Sequence, residues 1–143
     1  DWKLTIVGSG IDEDKVLDYA KKLNLQRVSF EGWQNPMEYY KRASIFMMTS
    51  EFEGFPMTLN ESKQQGLVPI VFDSFEAVYD IIDNHSDGVI IPNNDIDKYV
   101  EELTKLMEDD LKRKLMQQQA LVTSRNYSLE NTCLRWKELF NTI

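Results

Sequence analysis

The chain has 143 residues, 42% apolar and 11% aromatic, enough for one folded domain with one core (residues 1–143) and too few for a second. Its 16 basic and 24 acidic residues leave a net charge of −8, which argues against a sequence-independent nucleic-acid surface or a polybasic membrane patch, so any phosphate binding must be local. One cysteine, Cys133, excludes an internal disulfide and a cysteine metal cluster and fits a reducing, cytoplasmic setting, and no apolar run approaches the length of a membrane span.

Strands and helices alternate along the chain. Lys3 to Val7 reads as a strand with no signal-like segment before it, an abrupt opening that suggests a domain excised from something longer. A helix over Asp12 to Leu23 follows, with Asp12, Glu13 and Asp14 complementing its positive N-terminal dipole. Arg27 to Phe30 is a second strand, Pro36 to Arg42 a helix, and Ile45 to Met48 a third strand. Pro56 opens a helix over Met57 to Gln65 that Gly66 stops. Pro69 to Phe72 is a fourth strand, Ala77 to Ile82 a short helix and Gly88 to Ile91 a fifth strand. The remainder is helical: Ile96 to Glu108, Asp110 to Ser124, and Leu129 to Asn141 behind a Ser128 N-cap. This alternation predicts an α/β fold, a Rossmann-like doubly wound parallel sheet of about five strands with helices on both faces and C-terminal helices.

The stretch SEFEGFPMTLNE, Ser50 to Glu61, carries the strongest functional signal. It sets Glu53 and Glu61, with seven residues between them, across a strand-loop-helix junction. In open α/β sheets ligands bind outside the carboxyl ends of the strands, against helix N-termini whose free N–H groups attract phosphate. Ionised carboxylates only accept hydrogen bonds, so polyols suit them: Glu53 in the loop can take sugar hydroxyls, and Glu61, one to two turns into the helix, the hydroxyl pair of a ribose. Thr58 and Glu61 also have the spacing of a capping box, but Pro56 argues against it, since proline favours the first helical position and places Glu61 beyond the third. Phe55 reads as a packing residue under the loop.

From Trp2 onward the chain resembles the nucleotide-sugar-binding, C-terminal half of a family 4 retaining glycosyltransferase of the GT-B fold. The matching segments run in order: KLTIVGSG, VSFEGW, SIFMMTSEFEGFPMTLNES, GLVPIVFDS, DGVIIPNND and YSLENTCLRWKELF. Family members commonly carry Gly where Pro56 stands and Ala-Met where Ser62 and Lys63 stand. The resemblance implies transfer of a glycosyl group from a UDP-sugar or GDP-sugar to a polysaccharide, lipid-linked glycan or other glycoconjugate, with retention and without a metal or other cofactor. It implies Glu53 as the catalytic residue that orients the donor sugar, and Glu61 on the ribose. Gly54, Phe55 and Pro56 belong to the same loop, and the N–H groups of Met57, Thr58 and Leu59 face the departing phosphate. Gly8 and Gly10 let the backbone turn tightly beside the nucleotide, and Gly32, Trp33 and Gln34 border the base, with Trp33 either there or in the core. The implied partners are the donor and an N-terminal acceptor-binding domain, without which the last helix, with Leu134, Trp136, Leu139 and Phe140, is expected to leave apolar surface open to weak self-association. The full-length enzyme is expected in the cytoplasm or peripherally at the cytoplasmic membrane face.

Other classes remain in play: a GT-B epimerase or phosphorylase, and a non-enzymatic nucleotide- or protein-binding α/β domain. Gly8 and Gly10 with Glu31 echo a dinucleotide fingerprint, but Glu13 stands at the third glycine position, where it would repel a pyrophosphate. Asp12-Glu13-Asp14 and Asp95-Ile96-Asp97 stand at helix starts and read as caps rather than metal ligands. His85 lies in a polar loop, Asp83 to Asp87, and reads as solvated; Cys133 reads as a small, partly buried apolar side chain.

Overall fold

Five strands form where the apolar runs lie: β1 (Leu4–Ile6), β2 (Val28–Phe30), β3 (Ile45–Met48), β4 (Val68–Asp73) and β5 (Val89–Pro92). The computed structural model describes residues 2–142. The helices are α1 (Glu13–Lys22), α2 (Met37–Tyr40), α3 (Met57–Gln64), α4 (Val78–Ile81), α5 (Ile96–Glu108), α6 (Asp110–Thr123) and α7 (Leu129–Asn141), with a 3-10 turn over Ser124–Tyr127. Among the described residues every named strand pairing is parallel, β1 with β2 and β3-β4-β5 in that order. Parallel strands joined by helices make this a Rossmann-like α/β fold. It divides into two compact units, Asp1–Tyr39 and Tyr40–Ile143.

In the first unit β1 and β2 pair from Leu4 with Val28 to Ile6 with Phe30. The turn after β1 and the turn after β2 are tied together, Gly8 N–H donating to Gly32 O at 2.8 Å. Gly8 has φ +136°, open to glycine and strained for other residues, whereas Gly10 has no positive φ. Asp12 stands at the N-cap of α1 but makes no side-chain cap; its carboxylate accepts from Lys15 Nζ at 2.6 Å instead. That corrects the capping expected there, while Glu13 and Asp14 in the first turn still complement the dipole.

In the second unit the core lies on both faces of β3-β4-β5. Met48, Val71 and Ile90 point to one face with Leu59 of α3 and Val78 and Ile81 of α4. Val68, Ile70, Phe72, Val89 and Ile91 point to the other, with Tyr99 and Leu106 of α5 and Met116 of α6. A parallel sheet covered on both faces explains why β4 reads as an unbroken apolar run rather than an alternating one. Each fully buried Leu or Ile here contributes about 1.5–3 kcal/mol by leaving water.

Pro69 sits inside the central strand, a place that normally rejects proline. Successive N–H groups of a strand point to opposite sides, and Val68 N–H donates toward β3, to Ser44 O at 3.0 Å. The Pro69 nitrogen therefore faces β5, where pairing begins only at Ile70 with Val89, and no ladder bond is lost.

Helix ends follow local chemistry. Gly66 (φ +76°) ends α3 in a Schellman motif, its N–H donating to Lys63 O at 2.9 Å and Leu67 N–H to Ser62 O at 3.1 Å. Asp95 caps α5 by accepting from Lys98 N at 2.9 Å, and Ser128 caps α7 by accepting from Asn131 N at 3.2 Å. The helix expected over Pro36 to Arg42 is a single turn, Met37–Tyr40, closed by Ala43 N–H on Tyr40 O. No described residue of α7 is buried, and Cys133 on it is exposed, which corrects its expected partial burial. No helix among the described residues is long and apolar enough to cross a membrane.

Candidate functional site

The loop Thr49 to Pro56 leaves the carboxyl end of β3 and enters α3. Its base is held to the end of β4 by Ser74 Oγ, which donates to Ser50 O at 2.6 Å. Glu53 is half-buried in this loop, and Gly54 is exposed beside it. Phe55 packs its ring against Tyr127, centroids 5.3 Å apart, and is 44% exposed, so it both supports the loop and shows a face to solvent. Pro56 is buried and serves as the N-cap of α3 rather than its first helical residue. Met57 is then the first helical residue, Thr58 the second and Glu61 the fifth, which removes the capping-box geometry.

The N-terminus of α3 differs from those of the other helices of its length or longer. α5, α6 and α7 each have a side-chain cap and an acidic residue in the first turn, and α1 has Glu13 and Asp14 there. α3 has neither a side-chain cap nor an acidic first turn. The positive end of its dipole is left uncompensated beside the loop from β3, the setting in which helix N-termini hold phosphate. Met57 and Thr58 are exposed there while Leu59 is fully buried and anchors the turn. Glu61, half-buried, lies close enough to Tyr40 that burial first, and then the Glu61 charge, hold the Tyr40 hydroxyl above its ordinary pKa.

In the first unit Gly8, Gly10, Gly32, Trp33 and Gln34 gather in the two tied turns after β1 and β2. Trp33 is 84% exposed, which settles its place outside the core. Glu31 beside it accepts from Tyr39 Oη at 3.4 Å.

Two features of the second unit escaped the sequence reading. Asp87, at the end of the polar loop whose Asp83, Asn84 and His85 are exposed, is itself 1% exposed and accepts from Lys63 Nζ at 2.8 Å, from Asp83 N–H at 2.9 Å and from the Thr123 hydroxyl. Lys63, equally buried, also donates to Ile81 O. Burial lowers the Lys63 pKa, and the Asp87 carboxylate opposes that shift. His85, by contrast, is exposed as expected.

The second feature is a cavity of about 500 Å³ between the start of α3 and α7. Phe55, Met57 and Asn60 line it from one side of the sequence and Tyr127, Arg135 and Trp136 from the other. Asn60 is 3% exposed, and its Oδ1 makes no hydrogen bond. An unpaired buried acceptor costs about 1–3 kcal/mol, so this one stands out. Its only signal in the sequence is periodicity, which places Asn60 with Leu59, Ser62 and Lys63 among the buried positions of α3. No group of three or more His, Cys, Asp or Glu among the described residues is placed to hold a metal ion.

The fold and the loop-helix site define a Rossmann-like domain of GT-B type, and the comparisons with known proteins place it in a family. Residues 1–122 match the family model described as Glycosyl transferases group 1, and the chain belongs to that family. It is 30% identical over 142 residues to the amylovoran biosynthesis glycosyltransferase AmsD of Erwinia amylovora, covering 98% of this chain and 40% of that protein. It is 34% identical over 116 residues to the lipopolysaccharide 1,6-galactosyltransferase of Escherichia coli K12, covering 77% of this chain and 32% of that protein. Among solved structures, the lipopolysaccharide outer core galactosyltransferase WaaB superposes with a TM-score of 0.86 at 26% identity, over 100% of this chain and 42% of that one. The chain thus spans well under half the length of each.

Proposed function

We propose that this chain is the donor-binding part of a retaining glycosyltransferase, holding a nucleoside diphosphate sugar at the carboxyl end of β3. The observation that carries the reading is the α3 N-terminus, uncapped and free of acidic side chains, set between Glu53 and Glu61. The N–H groups of Met57 and Thr58 take the diphosphate and stabilise the charge that grows on it as the glycosyl bond breaks, while Leu59 N–H, expected to join them, already donates to Pro56 O at 3.1 Å. Glu61 accepts the ribose hydroxyls, and Glu53 orients the sugar. The helix dipole and the N–H groups meet part of the phosphate charge, and no metal enters this reading.

Family membership and similarity to AmsD and the lipopolysaccharide galactosyltransferase support a polysaccharide or lipid-linked glycan as acceptor. An acceptor-binding domain completes the cleft, and closure that orients donor and acceptor and excludes water supplies several kcal/mol of barrier lowering. The 143-residue chain alone is therefore expected to bind donor weakly and to transfer nothing. This reading puts the full-length enzyme in the cytoplasm or peripherally at the cytoplasmic membrane face.

A thermal-shift screen of the chain against uridine, guanosine and adenosine diphosphates and their sugar conjugates tests this. A ligand at a hundredfold excess over its Kd stabilises by about 2.7 kcal/mol, a readable rise in Tm. One uridine or guanosine diphosphate sugar should raise Tm more than the others. Equal shifts for all nucleotides, or none, would refute the reading.

A further inference from the structure

α3 carries the proposed donor site at its start, yet little apolar packing sets its orientation. Four of its side chains are buried, Leu59, Asn60, Ser62 and Lys63, and only Leu59 is apolar. Apolar contact is non-directional, so one leucine does not by itself fix the rotation of a helix about its axis. The three polar side chains differ in reach. Ser62 Oγ donates to Leu59 O at 2.7 Å within the helix, and Asn60 Oδ1 makes no hydrogen bond. Among the described residues, Lys63 is then the one side chain of α3 hydrogen-bonded to another element.

Lys63 reaches a fixed point. Its ammonium donates to Asp87 Oδ2 at 2.8 Å and to Ile81 O, the last carbonyl of α4. Asp87 is held in turn by Asp83 N–H at 2.9 Å and by the hydroxyl of Thr123, the last residue of α6. The Asp83 to Asp87 turn is stapled to β5: Ile90 N–H donates to Asn84 Oδ1 at 2.9 Å and His85 N–H to Gly88 O at 2.8 Å. Gly88 is pressed on β4 so closely that a Cβ there would lie 2.7 Å from Pro69 Cγ and 3.1 Å from Pro69 O. The acceptor of Lys63 is therefore tied to β4 and β5, and β4 pairs with β3, which leads into the donor loop.

A helix rises about 1.5 Å per residue, so Lys63 stands about 9 Å along the axis from Met57 and about 3 Å from Glu61 on one rigid rod. A rotation of about 20° would carry a carboxylate about 6 Å from the axis by about 2 Å, several times the tolerance of a binding site. We infer that Lys63 is a positioning residue of the donor site, fixing through Asp87 the rotation of α3 and with it the Met57 and Thr58 N–H groups and the Glu61 carboxylate. This role rests on the donor-site reading above. Neutral side chains in place of a buried ion pair often leave stability intact, so what the pair contributes here is direction.

The test compares the unaltered chain with a double variant, Lys63→Met with Asp87→Asn, which leaves no unpaired charge. UDP and GDP are titrated by calorimetry well below the Tm of each protein. Whichever diphosphate binds the unaltered chain should bind the folded double variant about tenfold or more weakly. Glu61→Gln should then cost less in the variant than in the unaltered chain, because a displaced carboxylate has less contact to lose. Without ligand, the phase of the periodic residual dipolar couplings over Met57 to Gln64, which reports helix rotation, should shift relative to β3, β4 and β5. Equal affinities for the two proteins, an unshifted phase, or an undiminished Glu61→Gln cost would each overturn the inference. If the double variant does not fold, Thr123→Val, which takes one donor from Asp87 at a half-buried position, carries the test. Binding about threefold weaker is expected of it, and unchanged binding would overturn the inference. Failure of both diphosphates to bind the unaltered chain would strike the donor-site reading itself, leaving the coupling phase to judge Lys63 alone.

Discussion

Lys63 Nζ donates to Asp87 Oδ2 across 2.8 Å with both side chains 1% exposed, tying α3 to the turn that enters β5. Thr123 of α6 joins the same carboxylate, so three elements meet at one buried charge pair. Removing one partner strands the other, which is the costly way to disturb such a pair. Lys63→Met is expected to destabilise by about 3–5 kcal/mol. Adding Asp87→Asn should restore a good part of this, because no unpaired charge then remains. Chemical denaturation of the single and double variants checks it, and equal stabilities would show that the pair carries no such cost.

Glu61 tests the ribose contact. Glu61→Gln should weaken the preferred nucleoside diphosphate by about 1.5–3 kcal/mol, the range for hydrogen bonds to charged groups. Because Glu61 is the fifth residue of α3 and caps nothing, Tm should barely move. Calorimetry and melting on the same samples separate the two effects; a fall in Tm with unchanged affinity would give Glu61 a structural role.

Glu53 and Glu61 should differ in what they read. Glu53→Ala is expected to weaken the intact sugar nucleotide by about 1–3 kcal/mol and to leave the free nucleoside diphosphate nearly unchanged. Equal losses for the two ligands, by calorimetry, would move Glu53 off the sugar.

Tyr99 gives a pH dependence with a definite sign. Its hydroxyl donates to Ile70 O at 2.9 Å inside the α5 face of the core, and burial raises its pKa above that of an unfolded tyrosine. Above about pH 10 the unfolded chain loses this proton while the folded chain keeps it, so folding stability falls as pH rises through that range. Tyr40, raised by burial and by Glu61, adds to the same limb. Tyr99→Phe should cost about 1 kcal/mol near neutrality through the lost hydrogen bond and flatten the alkaline limb. An unchanged slope of stability against pH above 10 would refute the assignment.

The outer surface of α7 predicts association. Leu129 is 82% exposed and Phe140 66%, an unusual amount of apolar surface for one helix. In the absence of an acceptor domain the chain should form concentration-dependent dimers that Phe140→Glu disperses. A strictly monomeric chain by light scattering at high concentration would show that this surface is not adhesive.

The elements were legible because their causes are local. The apolar run at Ile45 to Met48, the Gly66 Schellman stop and the Asp95 and Ser128 caps each depend on a few neighbouring residues, and the structure has them where the sequence placed them. The same holds for the junction carrying Glu53 and Glu61, since a strand, a Pro-bearing loop and a helix start fix its place at the strand end. Where local rules compete the outcome differed: Asp12 had a nearby Lys15 to pair with and did not cap, whereas Pro69 stands in the fourth strand as expected because its nitrogen faces an unpaired stretch.

Burial of polar groups was decided by tertiary structure alone. Lys63 and Asp87 look like surface charges in their own segments and become interior groups only because packing brings α3 against the β5 turn. The cavity joins Phe55 to Trp136, and Asn60 Oδ1 is buried without a hydrogen bond, neither of which a local pattern encodes. The sequence by itself determined the order of strands and helices and the loop that carries the two glutamates, because hydrophobic period and turn chemistry act over a few residues. Tertiary structure decided which charges are buried, which rings face solvent and where the cavity opens, because desolvation depends on what distant segments cover.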